Sequence, residues 1–126
     1  MRVVVPVERC EGLKSVIAEH FGRAPFFAVV ELGDDGAVKD IRMTENTGEH
    51  RGGSMSVESL IGGLKPDAVI VKGMGPRGLS AFQSQGVAVF TGEAATVEGL
   101  IQALAQGQLR GLTEACREAR HNLPQA

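Results

Sequence analysis

A chain of 126 residues is the length of one compact domain; at that size folding buries ~65% of the surface the unfolded chain exposes, so one core is expected and no second domain is needed. With 13 basic against 15 acidic residues and a pI near 5.9, it lacks the positive excess of a protein that tracks nucleic-acid phosphates. The longest apolar runs reach only ~6 residues where ~20 are needed to cross a bilayer, the N-terminus carries no signal pattern, and Cys10 and Cys116 form no CxxC, so a cytoplasmic protein with reduced thiols and neither nucleic-acid nor membrane partners is expected.

In chain order, residues 2–7 open with the β-branched run Val3-Val4-Val5 and include Pro6, the pattern of a buried central strand. Residues 8–24 hold scattered charge, two glycines and a weak apolar cluster at Leu13, Val16 and Ile17, which reads as a long loop with one helical turn. The runs 26–32 and 38–43 flank Gly33-Asp34-Asp35-Gly36 and predict an antiparallel hairpin whose second strand lies near a sheet edge. After the polar stretch 44–53, Val57, Leu60, Ile61 and Leu64 fall on one helical stripe that begins near Ser54 and is stopped by Pro66. Residues 67–71 are a second buried strand. Pro76 suits the first position of a helix with Leu79 and Phe82 inside and Gly86 at its end. Residues 87–90 give a third buried strand, and Thr96 opens a last helix that buries Val97, Leu100, Ile101 and Leu104 and closes at Gly107. The order β-β-β-α-β-α-β-α predicts an α/β fold: a mixed five-stranded sheet in the order 3-2-1-4-5, strand 2 antiparallel, with helices on both faces, formed by a single domain over 1–107. Residues 108–126 read as a charged tail, helical or disordered, the alternative being a segment that folds back over the rim and contributes Cys116; Cys116 and His121 within it are five apart and do not share a helical face.

That topology sends the loops 7–24, 44–53, 72–76 and 91–95 to one sheet edge, where open α/β sheets bind ligands. Those loops carry Cys10, His20, Arg23, His50 and Arg51, with the turn Lys72-Gly73-Met74-Gly75-Pro76-Arg77. Two of the three histidines and one of the two cysteines therefore share one rim. Imidazole and thiolate suit iron, copper, zinc or sulfide-bridged clusters rather than hard ions that need several carboxylates. His20, His50 and Cys10 are the candidate metal ligands. One or two such ligands suit a preformed cluster, whereas a closed structural zinc site takes four. His20, Arg23, Gly73, Gly75 and Arg77 are the candidate contacts to the ligand as a whole, through charge-assisted hydrogen bonds and close approach of the backbone. Each group also has a plainer reading: a surface histidine, a small buried cysteine, a tight strand-to-helix turn without a Walker lysine. No nucleophile-base pair and no acid-base carboxylate pair emerges, so the chain is expected to be no enzyme. A nuclease would need clustered carboxylates, and residues 2–7 offer none. The alternative is a small-molecule or nucleotide-binding regulatory module that uses Gly73 to Arg77 as an anion cradle.

The segments Val3-Val4-Val5-Pro6-Val7, Glu19-His20-Phe21-Gly22-Arg23-Ala24-Pro25-Phe26-Phe27, Glu45-Asn46 and the Gly73-Met74-Gly75-Pro76-Arg77 turn, in that order and separation, resemble the dinitrogenase iron-molybdenum cofactor biosynthesis family over roughly residues 1–107. The family comprises nitrogenase accessory factor-like domains and includes the orange protein of sulfate reducers. The resemblance implies a three-layer ribonuclease H-like fold and a non-catalytic role in binding, carrying or delivering a metal-sulfur cluster, which is iron-molybdenum, iron-sulfur or molybdenum-copper. It implies cluster donor and acceptor proteins as partners, a monomer or weak homodimer, and a cluster-binding role for His20. Where members from organisms without nitrogenase often carry a richer His stretch in the middle loop, this chain has the single His50 of His50-Arg51-Gly52-Gly53.

Overall fold

Val3, Val4, Val5 and Val7 are all completely buried. Side chains of successive strand residues point to opposite faces, so this burial requires cover on both sides of the sheet. The computed structural model, which describes residues 1–49 and 52–121, supplies that cover. Its elements are β1 (Arg2–Val7), β2 (Phe26–Leu32), β3 (Val38–Glu45), α1 (Val57–Gly63), β4 (Ala68–Val71), α2 (Pro76–Gln85), β5 (Ala88–Thr91), α3 (Val97–Ala105), β6 (Arg110–Gly111) and α4 (Ala115–His121), with 3-10 turns at Gly12–Lys14 and Phe21–Arg23. On one face Val3, Val5, Ile70 and Phe90 meet Leu100, Ile101 and Leu104 of α3 and Cys116 of α4. On the other, Val4, Val69 and Val89 meet Val57 and Ile61 of α1, Phe82 of α2 and Phe21. Each large apolar side chain so buried stabilises the fold by about 1.5–3 kcal/mol before entropy is counted.

The strands lie in the order β3-β2-β1-β4-β5-β6. β2 runs antiparallel to both β1 and β3, while β1, β4 and β5 are parallel. The expected five-strand order is thus extended by a sixth, β6, which pairs antiparallel with β5 through Phe90–Gly111 and Thr91–Arg110. Two residues with no apolar alternation leave no strand signature, and β6 owes its conformation to the β5 edge beside it. Within the segment read as a charged tail, helical or disordered, α4 is helical, and Leu109, Cys116 and Ala119 are buried in the core. Thr113 Oγ1 accepts from the Val89 amide at 3.1 Å and donates to the Val87 carbonyl at 2.9 Å, and Cys116 Sγ donates to the Val89 carbonyl at 3.1 Å.

Local chemistry sets the helix ends. The N-cap of α1 is Ser56, two residues beyond the expected Ser54, and its side chain accepts from the Ser59 amide at 3.2 Å. Pro76 is the first residue of α2, which stops at Gly86, held in the left-handed region at φ 71° where a Cβ would be strained. Thr96 caps α3 through the Gly99 amide at 3.2 Å. Among the described residues no helix is long and apolar enough to cross a membrane.

Candidate functional site: the rim at the C-terminal ends of the parallel strands

The pairings Val7–Phe26, Phe26–Glu45 and Val71–Thr91 align the ends of β1, β3, β4 and β5, so the loops after these strands leave from one edge. They are tied to one another. Asn46, almost fully buried, donates from Nδ2 to the carbonyls of Ala24 at 2.8 Å and Gly22 at 3.2 Å and accepts from the Gly48 amide at 2.9 Å. The Ile17 amide donates to the Ala95 carbonyl at 2.9 Å. Thr91 Oγ1 donates to the Lys72 carbonyl at 3.0 Å, Lys72 Nζ reaches Glu19 Oε1 at 3.2 Å, and Arg77 Nη2 reaches Glu49 Oε1 at 3.0 Å.

His20 stands at the start of the 3-10 turn Phe21–Arg23. The turn is anchored from below: Phe21 is buried, with its ring 5.6 Å from that of Phe27 and 5.7 Å edge-on from that of Phe82. His20 and Arg23 are both exposed above that anchor. The result is an imidazole and a guanidinium presented to solvent on a base fixed by aromatic packing and by Asn46. Neither side chain makes a hydrogen bond or ion pair with another described residue.

Gly73 and Gly75 are exposed, and a Cβ on either would meet nothing within 4 Å. Neither has a positive φ. Packing and backbone conformation therefore do not demand glycine there, and what its absence of side chain provides is open backbone at the start of α2. The N-cap of that helix, Gly75, supplies no side-chain oxygen. Its first amides face the rim with the favourable end of the helix dipole. Arg77 follows on the first turn, exposed, with its guanidinium on Glu49.

Cys10 and His20 fall on different parts of one loop. The loop 8–24 divides at its middle, where Val7–Ile17 and Val16–Thr96 bridges cross the rim. Before that crossing Leu13 packs on the face covered by α3; after it Ala18, Phe21 and Ala24 pack on the face covered by α1 and α2. Cys10 is exposed on the first part and His20 on the second. His50 and Arg51 lie outside the described residues. Among the described residues no three His, Cys, Asp or Glu side chains come together as a metal site. A cavity of about 430 Å³ lined by Met1, Asp34, Asp67 and Glu118 lies at the opposite edge of the sheet, away from all of these groups.

Sequence reasoning passed over Glu49 and the pairing role of Lys72, and used Glu19 and Asn46 only as parts of a resemblance. A signal was present, since the dipeptide Glu-His occurs twice, at 19–20 and 49–50, once in each of two loops that meet. Asn46-Thr47-Gly48 is likewise the spacing of a side chain that bonds the amide two residues on.

A doubly covered mixed sheet with a polar, cation-bearing rim defines a small α/β domain. Its similarities are consistent with that class. The chain is 30% identical over 112 residues to the uncharacterized protein MJ0580 of Methanocaldococcus jannaschii, covering 86% of this chain and 89% of that one. The crystal structure of PH0822 superposes with a TM-score of 0.72 at 28% identity, covering 91% of this chain and 99% of that one. The apo form of the orange protein from Desulfovibrio gigas shares the fold with a TM-score of 0.74 at 22% identity, covering 88% and 92%. The profile of the dinitrogenase iron-molybdenum cofactor family matches residues 1–107, and the chain belongs to that family.

Proposed function

We propose that this domain is a non-catalytic carrier that binds a preformed iron-molybdenum or related metal-sulfur cluster at the rim and passes it from a donor to an acceptor protein. The observation that carries the reading is the exposed imidazole of His20 on a turn anchored by Phe21 and Asn46, with its neighbour Glu19 bonded to Lys72 at the head of the open Gly73–Gly75 turn. The donor set fits the cargo. One imidazole offers a single-point attachment that a preformed cluster accepts and a bare ion does not. Lys72, Arg77 and Arg23, with the first amides of α2, would meet the negative charge of its sulfides. On sequence grounds His50 is the second proposed ligand, while Cys10, on the other part of its loop, is a weaker one. The family membership and the fold shared with the orange protein support the reading. Neither lends support to the nucleotide-binding alternative. A single attachment point at an open rim suits transient holding by a monomer or weak homodimer.

The test is anaerobic reconstitution with iron, molybdate and sulfide, followed by metal and sulfide analysis and visible absorption. The wild-type chain is expected to acquire a coloured, sulfide-bearing species that His20→Ala diminishes several-fold with the fold unchanged. Equal uptake by both would remove His20 from the role and the reading with it.

A further inference from the structure

Two ion pairs bracket the glycine-rich turn. Lys72, just before Gly73, holds Glu19 at 3.2 Å, and Arg77, two residues after Gly75, holds Glu49 at 3.0 Å. The two carboxylates arrive from different loops, one after β1 and one after β3, and both converge on cations of the same short segment. Pairs this open contribute little to folding, since one partner of each is 71% exposed and water screens both. The backbone that carries each cation is nevertheless held independently of the carboxylates. The Lys72 backbone is fastened to β5 through Thr91, and Arg77 is built into the first turn of α2.

We propose that Glu19 and Glu49 are internal stand-ins for an anionic ligand: they occupy Lys72 and Arg77 in the empty domain and are exchanged for the ligand's negatively charged sulfur or oxygen atoms on binding. The inference rests on the carrier reading of the rim and extends it to selection and release. No bond is made or broken in the exchange; two ion pairs within the protein are traded for two with the ligand. A neutral or cationic species gains nothing from displacing the carboxylates, so the rim selects polyanions. An anion that does displace them frees the loops carrying Glu19 and Glu49 from the turn, and the same carboxylates, recaptured by Lys72 and Arg77, favour its departure. Competition of this kind makes binding reversible at a site with few ligands.

The experiment measures equilibrium binding of tetrathiomolybdate, a sulfide-bearing molybdenum dianion, at low and high salt. The proteins are the full wild-type chain, Glu19→Gln alone, Glu19→Gln/Glu49→Gln, Lys72→Gln/Arg77→Gln and His20→Ala. None of these side chains is buried, and circular dichroism confirms that each variant is folded. The double Gln variant is expected to bind about three- to tenfold more tightly than wild type, the single one by a smaller factor, and the variant without the cations at least about tenfold more weakly. Added salt weakens the wild type and narrows these differences. Binding by the double Gln variant alone, with none by wild type, also supports the exchange. If wild type binds and His20→Ala binds worse, but neither Gln variant binds more tightly, the exchange is overturned while the carrier reading stands. If neither wild type nor the double Gln variant binds, both fall.

Discussion

Asn46 and Ala24 are 22 residues apart, yet Asn46 Nδ2 donates to the Ala24 carbonyl at 2.8 Å in the interior of the rim. With its bonds to Gly22 and Gly48, one side chain fastens the His20 turn to the loop after β3. Asn46→Ala leaves two carbonyls and an amide without this partner. A loss of about 2–4 kcal/mol in unfolding free energy is expected, because buried groups stripped of a hydrogen bond carry their full desolvation cost. Urea denaturation reads the stability, and amide exchange at Gly48 reads whether the loop has come free. A loss below about 1 kcal/mol would mean that water replaces the side chain and that Asn46 does not position the turn.

Cutting the chain after Gly107 tests whether the segment beyond it is an appendage or part of the fold. The cut removes Leu109, Cys116 and Ala119 from the core and strips Thr113 from the Val87 and Val89 backbone. One large apolar residue and three side-chain hydrogen bonds, with the Cys116 Sγ bond to the Val89 carbonyl as the third, set an expected loss of at least about 3–5 kcal/mol. Against the total of ~5–15 kcal/mol typical of a domain, the shortened chain is expected to unfold at a much lower urea midpoint, with apolar surface on the α3 face open to dye binding.

Why the sequence disclosed some of this and not the rest follows from where each signal resides. The runs Val3-Val4-Val5 and 68–71 are legible because a strand covered on both faces must be apolar throughout, and no loop tolerates that. The stripes of α1 and α3 are legible because one helical face is buried at a fixed period. β6 is invisible because Arg110 and Gly111 are strand only by virtue of the Phe90 and Thr91 backbone beside them. Among the described side chains of α4 the buried ones are Cys116 and Ala119, small residues among charged ones, so the helix reads as solvated. The rim loops were placed by topology alone, which puts segments at an edge but does not pair their charges. The Lys72–Glu19 and Arg77–Glu49 contacts therefore needed coordinates, and so did the division of the loop 8–24 between the two faces of the sheet.

The β2–β3 turn carries a pH dependence of known sign. Asp35 accepts from the Ala37 amide at 3.0 Å and lies 3.8 Å from Lys39 Nζ, and these two interactions, the hydrogen bond foremost, hold its carboxyl below the ordinary value of 3.8. A carboxyl lowered by folding adds stability that is fully present above its unfolded value and is lost as pH falls through its folded one. Asp35→Asn is therefore expected to be less stable than wild type at neutral pH, with a gap that closes on acidification below 3.8. Paired urea titrations at neutral and acid pH measure it; a gap that widens on acidification would contradict the assignment.

Gly53 and Gly73 make opposite predictions although both lie in rim loops. A Cβ on Gly53 would stand 1.8 Å from the Thr47 carbonyl oxygen, a backbone atom that cannot move without the loop, so Gly53→Ala is expected to destabilise the domain and disturb the Glu49 segment. A Cβ on Gly73 meets nothing, and its φ lies outside the left-handed region, so Gly73→Ala is expected to leave stability unchanged or raise it by up to about 1 kcal/mol through a stiffer unfolded chain. Gly75→Ala should stay near neutral, the loss of a favourable N-cap offsetting that gain. If the open turn serves only to connect β4 to α2, both variants take up metal and sulfide as the wild type does. If cargo approaches the backbone there, both lose uptake while their denaturation curves match or exceed wild type. A folded, stable protein that no longer binds is a result that structural damage cannot produce, and reconstitution of Gly73→Ala beside Gly53→Ala separates the two causes.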